Sequence, residues 1–428
     1  MTADPSERVP ARLHWLSRDA RLIVVTRALR TFAYGCTSVL LAQTLVGDGL
    51  SAAHVGVVVA TAAAGSVAVS VVMGLFADRF GRRRSLLVAS GLMALAGVTF
   101  AVSGCMPVLL AAAFFGTISP STNDNTPFSG IEQAILAETC TARRHAAAYT
   151  CYNSAALVAG ALGALAASGL SLWCPTRAGA AAFALYAAVA LTIGAIFLTL
   201  SPLVEAGRHR ATGATSDHPR TRIRPGGSIR RLAMLFAVDA FAGGLVVQAM
   251  LALWFQFRFG VSAAQLGLLF FAANLLPALA QLTAPFIARR GGLLTAMLVP
   301  HAIANILLLC VAAAPSFRIA ALTLLARQTL SKIDVPARQA FIAAVVHPTE
   351  RTAAASLTTV TRSIAVAVSP LATSLLISGP LAAIGAPLLL SGALGLGYDT
   401  ATWRSFRNAR PDPERGADLS TAPASGPG

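Results

Sequence analysis

The feature that most constrains this chain is a series of apolar runs of roughly twenty residues, separated by short polar turns. A run of about this length is what an α-helix needs to cross the hydrocarbon core of a bilayer. The pattern therefore predicts membrane-spanning helices. Twelve runs fit it, at about 22–46, 52–77, 85–105, 107–139, 146–172, 178–200, 232–256, 263–288, 293–313, 319–346, 353–378 and 381–398.

Composition supports a membrane protein, since 56% of the residues are apolar and only 12% are charged, against about a quarter charged in soluble domains. The formal net charge of +16 would by itself suggest a nucleic-acid partner. The arginines collect instead in turns between apolar runs, with no aromatic and basic stripe on a polar domain. We therefore expect a lipid bilayer as the environment and no nucleic acid as a partner.

Residue spacing argues against several kinds of catalytic chemistry. Lys332 is the only lysine and precedes Ile333, so a Gly-Lys-Ser/Thr phosphate-binding loop cannot form. The six cysteines form no Cys-x-x-Cys pair, so we expect no metal site. His301, with Asn305 one turn on, has no Cys or Glu nearby in sequence and is interpreted as a hydrogen-bonded buried histidine. We expect no cofactor and no enzymatic activity.

A long polar segment, rich in arginine, proline and glycine, divides the twelve runs into two groups of six. The tail of the chain is rich in Pro, Ala, Gly and Arg, a composition typical of disorder. We expect a cytoplasmic N-terminus at 1–20, a six-helix bundle at 21–202, a basic cytoplasmic linker at 203–231, a second six-helix bundle at 232–399 and a disordered cytoplasmic tail at 400–428.

The arginines are unevenly divided between the two sets of turns. They crowd the even-numbered turns, from the group at 79–84 to Arg351, whereas the odd-numbered turns hold only Arg177, Arg258 and Arg318. Cytoplasmic loops carry the excess of basic residues in membrane proteins. The pattern predicts a multi-pass protein of the cell (inner, cytoplasmic) membrane with both termini in the cytoplasm.

The two groups of six helices repeat each other in sequence. Residues 49–56 match residues 260–267 at an offset of 211. Two further matches, of 133–137 with 339–343 and of 28–35 with 237–244, keep the same order at offsets between 206 and 211. Such a parallel repeat predicts two structurally similar halves.

The turn between the second and third runs reads Gly-Leu-Phe-Ala-Asp-Arg-Phe-Gly-Arg-Arg-Arg. It resembles the signature loop of the major facilitator superfamily, Gly-x-Leu-Ala-Asp-Arg-x-Gly-Arg-Lys/Arg, with Phe76 in place of the usual Leu. We expect Gly74 to let two helices approach closely and Gly81 to allow a sharp turn. The matching residues are Gly74, Ala77, Asp78, Arg79, Gly81, Arg82 and Arg83.

The resemblance covers about residues 20–400. It implies an all-α integral membrane fold of twelve transmembrane helices in two six-helix pseudo-symmetric halves, with helices 1, 4, 7 and 10 around a central cavity. We expect Asp78 and the adjacent arginines to form a conformational gate that latches the two halves together on the cytoplasmic side. Helix 5 reads Gly160-Ala161 where antiporters of the superfamily have Gly-Pro, which argues against a drug/proton antiporter.

Ionisable residues inside spanning helices are costly and by default mark function. Through the repeat, Arg30 of helix 1 takes the place of Asp239 in helix 7, and Glu132 of helix 4 that of Arg338 in helix 10. The repeat thus predicts two ion pairs, Arg30 with Glu132 and Asp239 with Arg338, one in each half. Either they are structural pairs, or one acid exchanges its arginine for a proton or a substrate during transport.

Helical spacing extends this set of residues. Side chains seven or eleven residues apart share one face of a helix. This spacing joins Tyr34 to Arg27 and Asn125 to Glu132, and it joins both Asp334 and Arg338 to Arg327. The predicted substrate- or proton-binding residues of the cavity are Arg27, Arg30, Tyr34, Asn125, Glu132, Asp239, Asp334, Arg338 and Arg362.

The polar stretch at 119–127 is too rich in Ser, Thr, Asn and Pro for a continuous spanning helix. Irregular backbone at membrane depth must be buried in protein or line a wet cavity. Either helix 4 is broken at this depth, or it starts later and the stretch lies in an aqueous entrance.

These observations predict a monomeric secondary transporter of a small molecule, working by rocker-switch alternating access. Proton-coupled efflux of a small metabolite or drug-like compound is one form of it, with Glu132 and Asp239 as proton-binding acids. Cations outnumber acids at membrane depth, which favours an anionic or zwitterionic substrate, unless Arg27, Lys332 and Arg362 extend to water at helix ends. A transporter-like receptor that binds a ligand without moving it is the alternative.

Overall fold

The computed structural model describes residues 16–121, 127–140, 145–205, 227–280, 284–331, 338, 351–377 and 384–407. Fourteen α-helices make up most of this described part of the chain. They are α1 (Arg18–Gly47), α2 (Ala52–Phe80), α3 (Arg82–Val102), α4 (Met106–Phe115), α5 (Pro127–Thr139), α6 (His145–Trp173), α7 (Ala178–Leu198), α8 (Gly227–Gly244), α9 (Gln248–Phe259), α10 (Ala263–Ala280), α11 (Ala284–Ala312), α12 (Phe317–Leu330), α13 (Arg351–Ile377) and α14 (Ala386–Phe406), with a short 3-10 helix at Pro202–Glu205 after α7.

The helices confirm the all-α membrane fold predicted from the sequence. Large apolar side chains such as Leu75, Leu191 and Leu375 are exposed on the outer surface, as expected where lipid rather than water surrounds a protein. α8 and α9 together form a span that is bent by 43°. Within the described residues, five further helical stretches are long and apolar enough to cross a membrane alone: Ala52–Ala77, Arg82–Val102, Ala147–Trp173, Ala178–Leu198 and Leu357–Ile377.

Helix α1 is the central helix of the N-terminal half and turns polar side chains into the protein. It packs against α6, α7 and α9. A helix surrounded by protein can carry polar residues at membrane depth, because its neighbours provide hydrogen-bond partners. Its buried polar residues include Thr26, Arg27, Arg30, Thr31, Thr37 and Ser38.

Glycines allow α1 and α6 to approach each other closely. A Cβ atom on Gly35 would overlap the carbonyl of Gly160, and one on Gly163 would overlap the carbonyl of Phe32. Small residues permit such backbone contact between membrane helices. The close approach predicted at Gly74 is wrong, because Gly74 lies on an exposed face of α2 and a Cβ atom there would meet no described atom within 4 Å.

The two halves meet along two seams, where α2 packs against α13 and α6 packs against α10. The Ser168 hydroxyl of α6 donates to the carbonyl of Ala264 at 2.8 Å. The amide of Gln248 donates to the Ser38 hydroxyl of α1 at 2.9 Å. The Ser168 contact lies near the helix ends that the arginine pattern assigns to the extracytoplasmic side, and the Gln248 contact lies about 15 Å deeper along α1 and α9.

The same position of the repeat lies at both seams. Gly56 of α2 faces α13, where an added Cβ atom would overlap the side chain of Ser374. Its repeat partner Gly267 of α10 faces α6, where a Cβ atom would lie 2.7 Å from the carbonyl oxygen of Ala164. The glycine that ends the matched sequences 49–56 and 260–267 is therefore a contact between the halves in both copies.

Two boundaries predicted for the second half are wrong. α8 begins at Gly227, so the end of the predicted linker is helical. α14 continues to Phe406, beyond the boundary predicted at 399. Phe406 belongs to an apolar cluster with Leu232 and Phe236, and Thr402 is buried. Packing therefore holds these last turns in place despite a composition that had suggested disorder.

The basic turn predicted between the eighth and ninth spans is also wrong. α10 ends at Ala280 and α11 runs without a break from Ala284 to Ala312. The two glycines at 291 and 292 weaken a helix by about 1 kcal/mol each, which is not enough to end one that packs against its neighbours. Residues 281–283, between α10 and α11, lie outside the described residues.

Candidate functional site

The arginine-rich turn joins α2 to α3 at Gly81. Gly81 has φ of +103°, a conformation that favours glycine, which confirms the predicted sharp turn. The Arg82 guanidinium forms a two-point ion pair with Glu138 at the end of α5, with Nη1–Oε2 and Nη2–Oε1 distances of 2.6 and 3.0 Å. Glu205 accepts hydrogen bonds from the backbone N–H groups of Arg82 and Arg83 at 3.0 and 2.9 Å.

These contacts attach the turn to the N-terminal half. The Glu205 carboxylate lies at the N-terminus of α3, where the helix dipole favours negative charge. The Arg83 side chain also donates to the carbonyl of Leu198 at the end of α7. Arg79 is exposed, and the side chain of Asp78 is outside the described ones. The gating role of this turn therefore stays a prediction.

In the N-terminal half, Arg30 of α1 and Glu132 of α5 form the predicted ion pair. The Nη1–Oε1 and Nη2–Oε2 distances are 2.7 and 2.6 Å, and both side chains are 0% exposed. The Tyr152 hydroxyl donates to Glu132 Oε2 at 2.6 Å, and the Phe128 ring centroid lies 4.3 Å from the Arg30 guanidinium carbon. The pair is thus enclosed on all described sides by protein.

Two other predicted residues of α1 border this pair. Arg27 donates to the Ser129 hydroxyl at 3.4 Å, and its guanidinium carbon lies 5.1 Å from the Tyr152 ring centroid. Tyr34 is buried, with its ring centroid 6.0 Å from that of Tyr186. The predicted stripe along α1 is therefore present and faces the interior of the N-terminal half.

Helix 4 is broken between α4 and α5, which supports the first of the two interpretations. Thr117 in the break has φ of +55°, an uncommon backbone conformation for a β-branched residue. The Tyr186 hydroxyl contacts the carbonyl oxygens of Gly116 and Thr117 at 3.4 and 3.3 Å. Thr117, Ile118 and Ser119 are all buried. The irregular backbone is thus covered by protein, as it must be at membrane depth.

A second break, which sequence analysis missed, divides the seventh span between Gly244 and Gln248. The Gly243-Gly244 pair was the available signal, since glycine weakens a helix. The two breaks meet in the structure: the N–H of Ala249, at the start of α9, donates to the carbonyl of Pro120 at 3.2 Å. A backbone hydrogen bond therefore links the halves at their two interrupted helices.

A cavity of about 280 Å³ opens beside these breaks, between α2 and α13. This volume lies near the lower end of the range for small-molecule pockets. Arg362 of α13 is the ionisable residue on its wall, and its side chain is 36% exposed. Its lining includes Ser66, Pro120, Val247, Thr359, Arg362 and Ser363.

Arg362 connects the cavity to a partly buried polar cluster in the C-terminal half. The predicted pair is present, with Arg338 Nη1 3.0 Å from Asp239 Oδ2. Arg362 Nη1 lies 3.1 Å from the same oxygen, so Asp239 has two arginine partners. His301 Nε2 lies 3.2 Å from the other oxygen, Oδ1. The repeat predicted one partner of Asp239 and missed two.

His301 extends the cluster to Asp399 of α14, which was not among the predicted residues. His301 Nδ1 lies 2.8 Å from Asp399 Oδ1, and the Asn305 amide donates to Asp399 Oδ2 at 3.2 Å. His301 is hydrogen-bonded as predicted, but its side chain is 17% exposed and so only partly buried. Its acidic partners come from α8 and α14, far away in sequence. The signal for Asp399 was a lone acid at the end of an apolar run.

Two predicted cavity residues, Asn125 and Asp334, lie outside the described residues. The structure therefore describes Arg327 and Arg338 of the polar stripe predicted on helix 10, but not Asp334. Among the side chains that are described, no group of three or more His, Cys, Asp or Glu residues is placed to hold a metal ion.

Comparisons with known proteins agree with this architecture. The sequence profile of the Major Facilitator Superfamily matches residues 23–331. The chain is similar to YJR124C, an uncharacterised membrane protein of Saccharomyces cerevisiae, with 26% identity over 400 residues, which is 84% of this chain and 88% of the yeast protein.

Solved structures with the same fold are more distant in sequence. The nucleoside transporter NupG aligns with a TM-score of 0.72 at 13% identity, covering 92% of this chain and 100% of NupG. A D-xylose-proton symporter aligns with a TM-score of 0.70 at 16% identity, covering 90% of this chain and 97% of the symporter. At such identities the likeness shows the fold and not the substrate.

Proposed function

Because the chain belongs to the Major Facilitator Superfamily, a family of membrane transporters, we propose that it moves a small molecule across the cell membrane by rocker-switch alternating access. The observation that carries this proposal is the meeting of two broken helices, one from each half, beside a cavity with an arginine on its wall. Interrupted helices at membrane depth are typical of transporter binding sites.

The contacts of the two ends support alternating access. The halves are joined near one end through Ser168 with Ala264, and at greater depth through Gln248 with Ser38. At the other end, the described contacts of the arginine-rich turn are made within the N-terminal half. We place the turn and both termini in the cytoplasm, by the positive-inside rule, so that this conformation is closed to the outside.

We propose an anionic or zwitterionic substrate. Asp239 Oδ2 is shared by Arg338 and Arg362, so one carboxylate oxygen serves two cations. Arg362 also lines the cavity, where the planar guanidinium can bind a carboxylate or phosphate through two hydrogen bonds. The contact of Arg362 with Asp239 argues against the alternative that this arginine extends to water.

We propose a proton as the coupling ion and Asp239 as the better placed of the two candidate acids. Asp239 is 11% exposed and contacts the arginine of the cavity wall. Glu132 is 0% exposed and is held by Arg30 and Tyr152. A carboxylate that exchanges partners during transport needs a route to the substrate or to water, and the contact with Arg362 on the cavity wall supports Asp239 in this role. Efflux of a small metabolite or drug-like compound remains a prediction about direction.

Reconstituted proteoliposomes test the proposal. Uptake and release of radiolabelled organic anions, zwitterions, neutral compounds and lipophilic cations would be measured with and without an imposed pH gradient. We expect transport of one or more anions or zwitterions, lost in Arg362→Ala. Arg318→Ala is the matched control, because Arg318 is an exposed arginine outside the cluster.

The same panel separates transport from ligand sensing. A receptor would be stabilised against thermal unfolding by a compound that it does not move. Thermal stabilisation by a panel member without uptake or release of any of them would therefore favour the receptor alternative. Movement of lipophilic cations alone, unaffected by Arg362→Ala, would contradict the proposed substrate class.

A further inference from the structure

His301 of α11 lies between two carboxyl groups, one at each ring nitrogen. Nε2 lies 3.2 Å from Asp239 Oδ1, and Nδ1 lies 2.8 Å from Asp399 Oδ1. Three helices, α8, α11 and α14, bring these residues together. The amide nitrogen of Asn305, one turn further along α11, donates to the second oxygen of Asp399 at 3.2 Å and also lies 3.2 Å from His301 Nδ1. It thus helps to orient the Asp399 carboxyl group against the ring.

This arrangement determines a proton count. A neutral imidazole donates at one nitrogen and accepts at the other, an imidazolium donates at both, and an ionised carboxylate only accepts. Two contacts between ring nitrogens and carboxyl oxygens therefore require two protons, one in each contact. A neutral ring supplies only one. The second proton lies either on the ring or on one of the two carboxyl groups, and the count is the same in each case.

We propose that Asp239, His301 and Asp399 form a proton-binding site, the Asp-His-Asp chain, and that its second proton is the coupling ion of transport. The coupling role rests on the proposed function, whereas the proton-binding site does not. The Asp-His-Asp chain begins at Asp239, whose carboxylate contacts Arg362 on the cavity wall. It ends at Asp399, about 10 Å along the helix axis from the end of α14.

The groups around the chain set its charge. Arg338 and Arg362 both contact Asp239, and the Tyr398 ring meets the His301 ring edge-on with centroids 5.6 Å apart. On α12, which packs against α11, Arg327 contacts Gln328 at 2.5 Å. Among the described groups, the two arginines balance the charges of the two carboxylates. With a neutral His301 ring the Asp-His-Asp chain and its arginines have no net charge, and the second proton adds one positive charge.

This charge links the proton to the substrate. An anion at Arg362 is attracted by the protonated chain and less so by the neutral one. By reciprocity, a bound anion must then strengthen proton binding by the same factor. Positive linkage of this kind carries proton and anion across the membrane together, whereas efflux by exchange with protons needs the opposite sign.

Proton binding can be measured on the purified full-length protein without substrate or vesicles. Protein labelled with 15N in the histidine rings would be titrated by NMR across the pH range in which it stays folded. Infrared difference spectra would report protonated carboxyl groups. We expect one second-proton signature, either an imidazolium or a carboxylic acid, that is lost in His301→Gln. His54→Gln is the control, because His54 contacts Ser51 at the surface.

Asp399→Asn gives a second, nearly isosteric test. The asparagine amide can donate to or accept from His301 Nδ1, so that the contact no longer requires the second proton. We expect the signature to disappear while thermal unfolding stays close to that of the parent, and Asp48→Asn, at the exposed end of α1, to leave it intact. A neutral His301 beside two ionised carboxylates throughout the folded range would overturn the inference, as would a signature that survives in Asp399→Asn.

The outcomes separate this inference from the proposed function. A missing second proton contradicts the Asp-His-Asp chain and leaves transport itself standing. A retained signature in a protein that moves no member of the panel contradicts transport and leaves the proton site standing.

Discussion

The N–H of Ala249 donates to the carbonyl of Pro120 at 3.2 Å, which joins the interrupted seventh span to the interrupted fourth. Each break by itself would leave unpaired backbone groups at membrane depth, where a missing partner is costly. The hydrogen bond pairs one backbone group from each break and thereby joins the two halves in this conformation.

The neighbouring bond from Gln248 to Ser38 tests the proposed closure to the outside. Gln248→Ala should weaken the closed end by about 1 kcal/mol and shift the population of the two conformations roughly five-fold. The readout is the rate at which a membrane-impermeant maleimide added outside modifies a cysteine placed at Ser66, on the cavity wall. Gln265→Ala, which removes a contact within one half, should leave that rate unchanged. A rate in Gln248→Ala equal to that of the control would contradict the assignment of the closed end.

The arginine-rich turn is predicted to act as a gate through Asp78. Asp78→Asn should reduce transport while expression and thermal unfolding stay near normal, because a bias of about 1–2 kcal/mol between two conformations changes their ratio roughly 5- to 30-fold. The measurement is initial transport rate per reconstituted molecule. Full activity of Asp78→Asn would rule out the gate.

Substituting one member of the buried Arg30–Glu132 pair should destabilise the protein more than substituting both. Removing one partner leaves a buried charge without compensation, which costs about 3–5 kcal/mol. Arg30→Met and Glu132→Leu should each lower the unfolding temperature in detergent, and the double variant should recover much of the loss. Single variants as stable as the parent would show that the pair contributes little to the fold.

Asp239→Asn should uncouple transport from the pH gradient. The amide cannot carry an exchangeable acidic proton and weakens the hold on Arg338, Arg362 and His301 at once. In the parent we expect flux to follow an imposed gradient, and in Asp239→Asn to be flat across it. The control is Asp48→Asn. A variant that still follows the gradient would place the coupling acid elsewhere.

The native cysteines test the predicted orientation. Cys105 and Cys174 are exposed and lie at turns that the arginine pattern assigns to the outside. In variants that keep one cysteine at a time, a membrane-impermeant maleimide added to intact cells should modify each of these two. Cys140, at the end of α5, should be modified only after the cells are opened. The reverse result would invert the topology.

The sequence was informative about the ion pairs because the repeat carries three-dimensional information. Equivalent positions in the two halves must have equivalent neighbours, so opposite charges at matched positions predict a pair in each half. The Arg30–Glu132 and Asp239–Arg338 contacts follow from this. No such relation exists for His301 and Asp399, whose neighbourhood depends on which faces of α11 and α14 meet.

Helix interruptions were predictable only where they were polar. The polar composition of the stretch at 119–127 indicated a break, whereas the residues at the break after Gly244 are apolar apart from the glycines. The partners of the arginine-rich turn, Glu138 and Glu205, were missed for a related reason. They come from the ends of other elements, and the way in which chain ends fold back onto a turn leaves no periodic signal.

Gly56 and Gly267 place a glycine at the equivalent position of both seams between the halves. Each lies at the seam where a helix of one half packs against a helix of the other, and neither seam has a large side chain at that position. The rocking motion proposed for transport would therefore meet equally small obstacles at both seams. A methyl group added at either glycine would push the helices apart at one seam only, so that the two halves would move by unequal amounts on the two sides of the molecule.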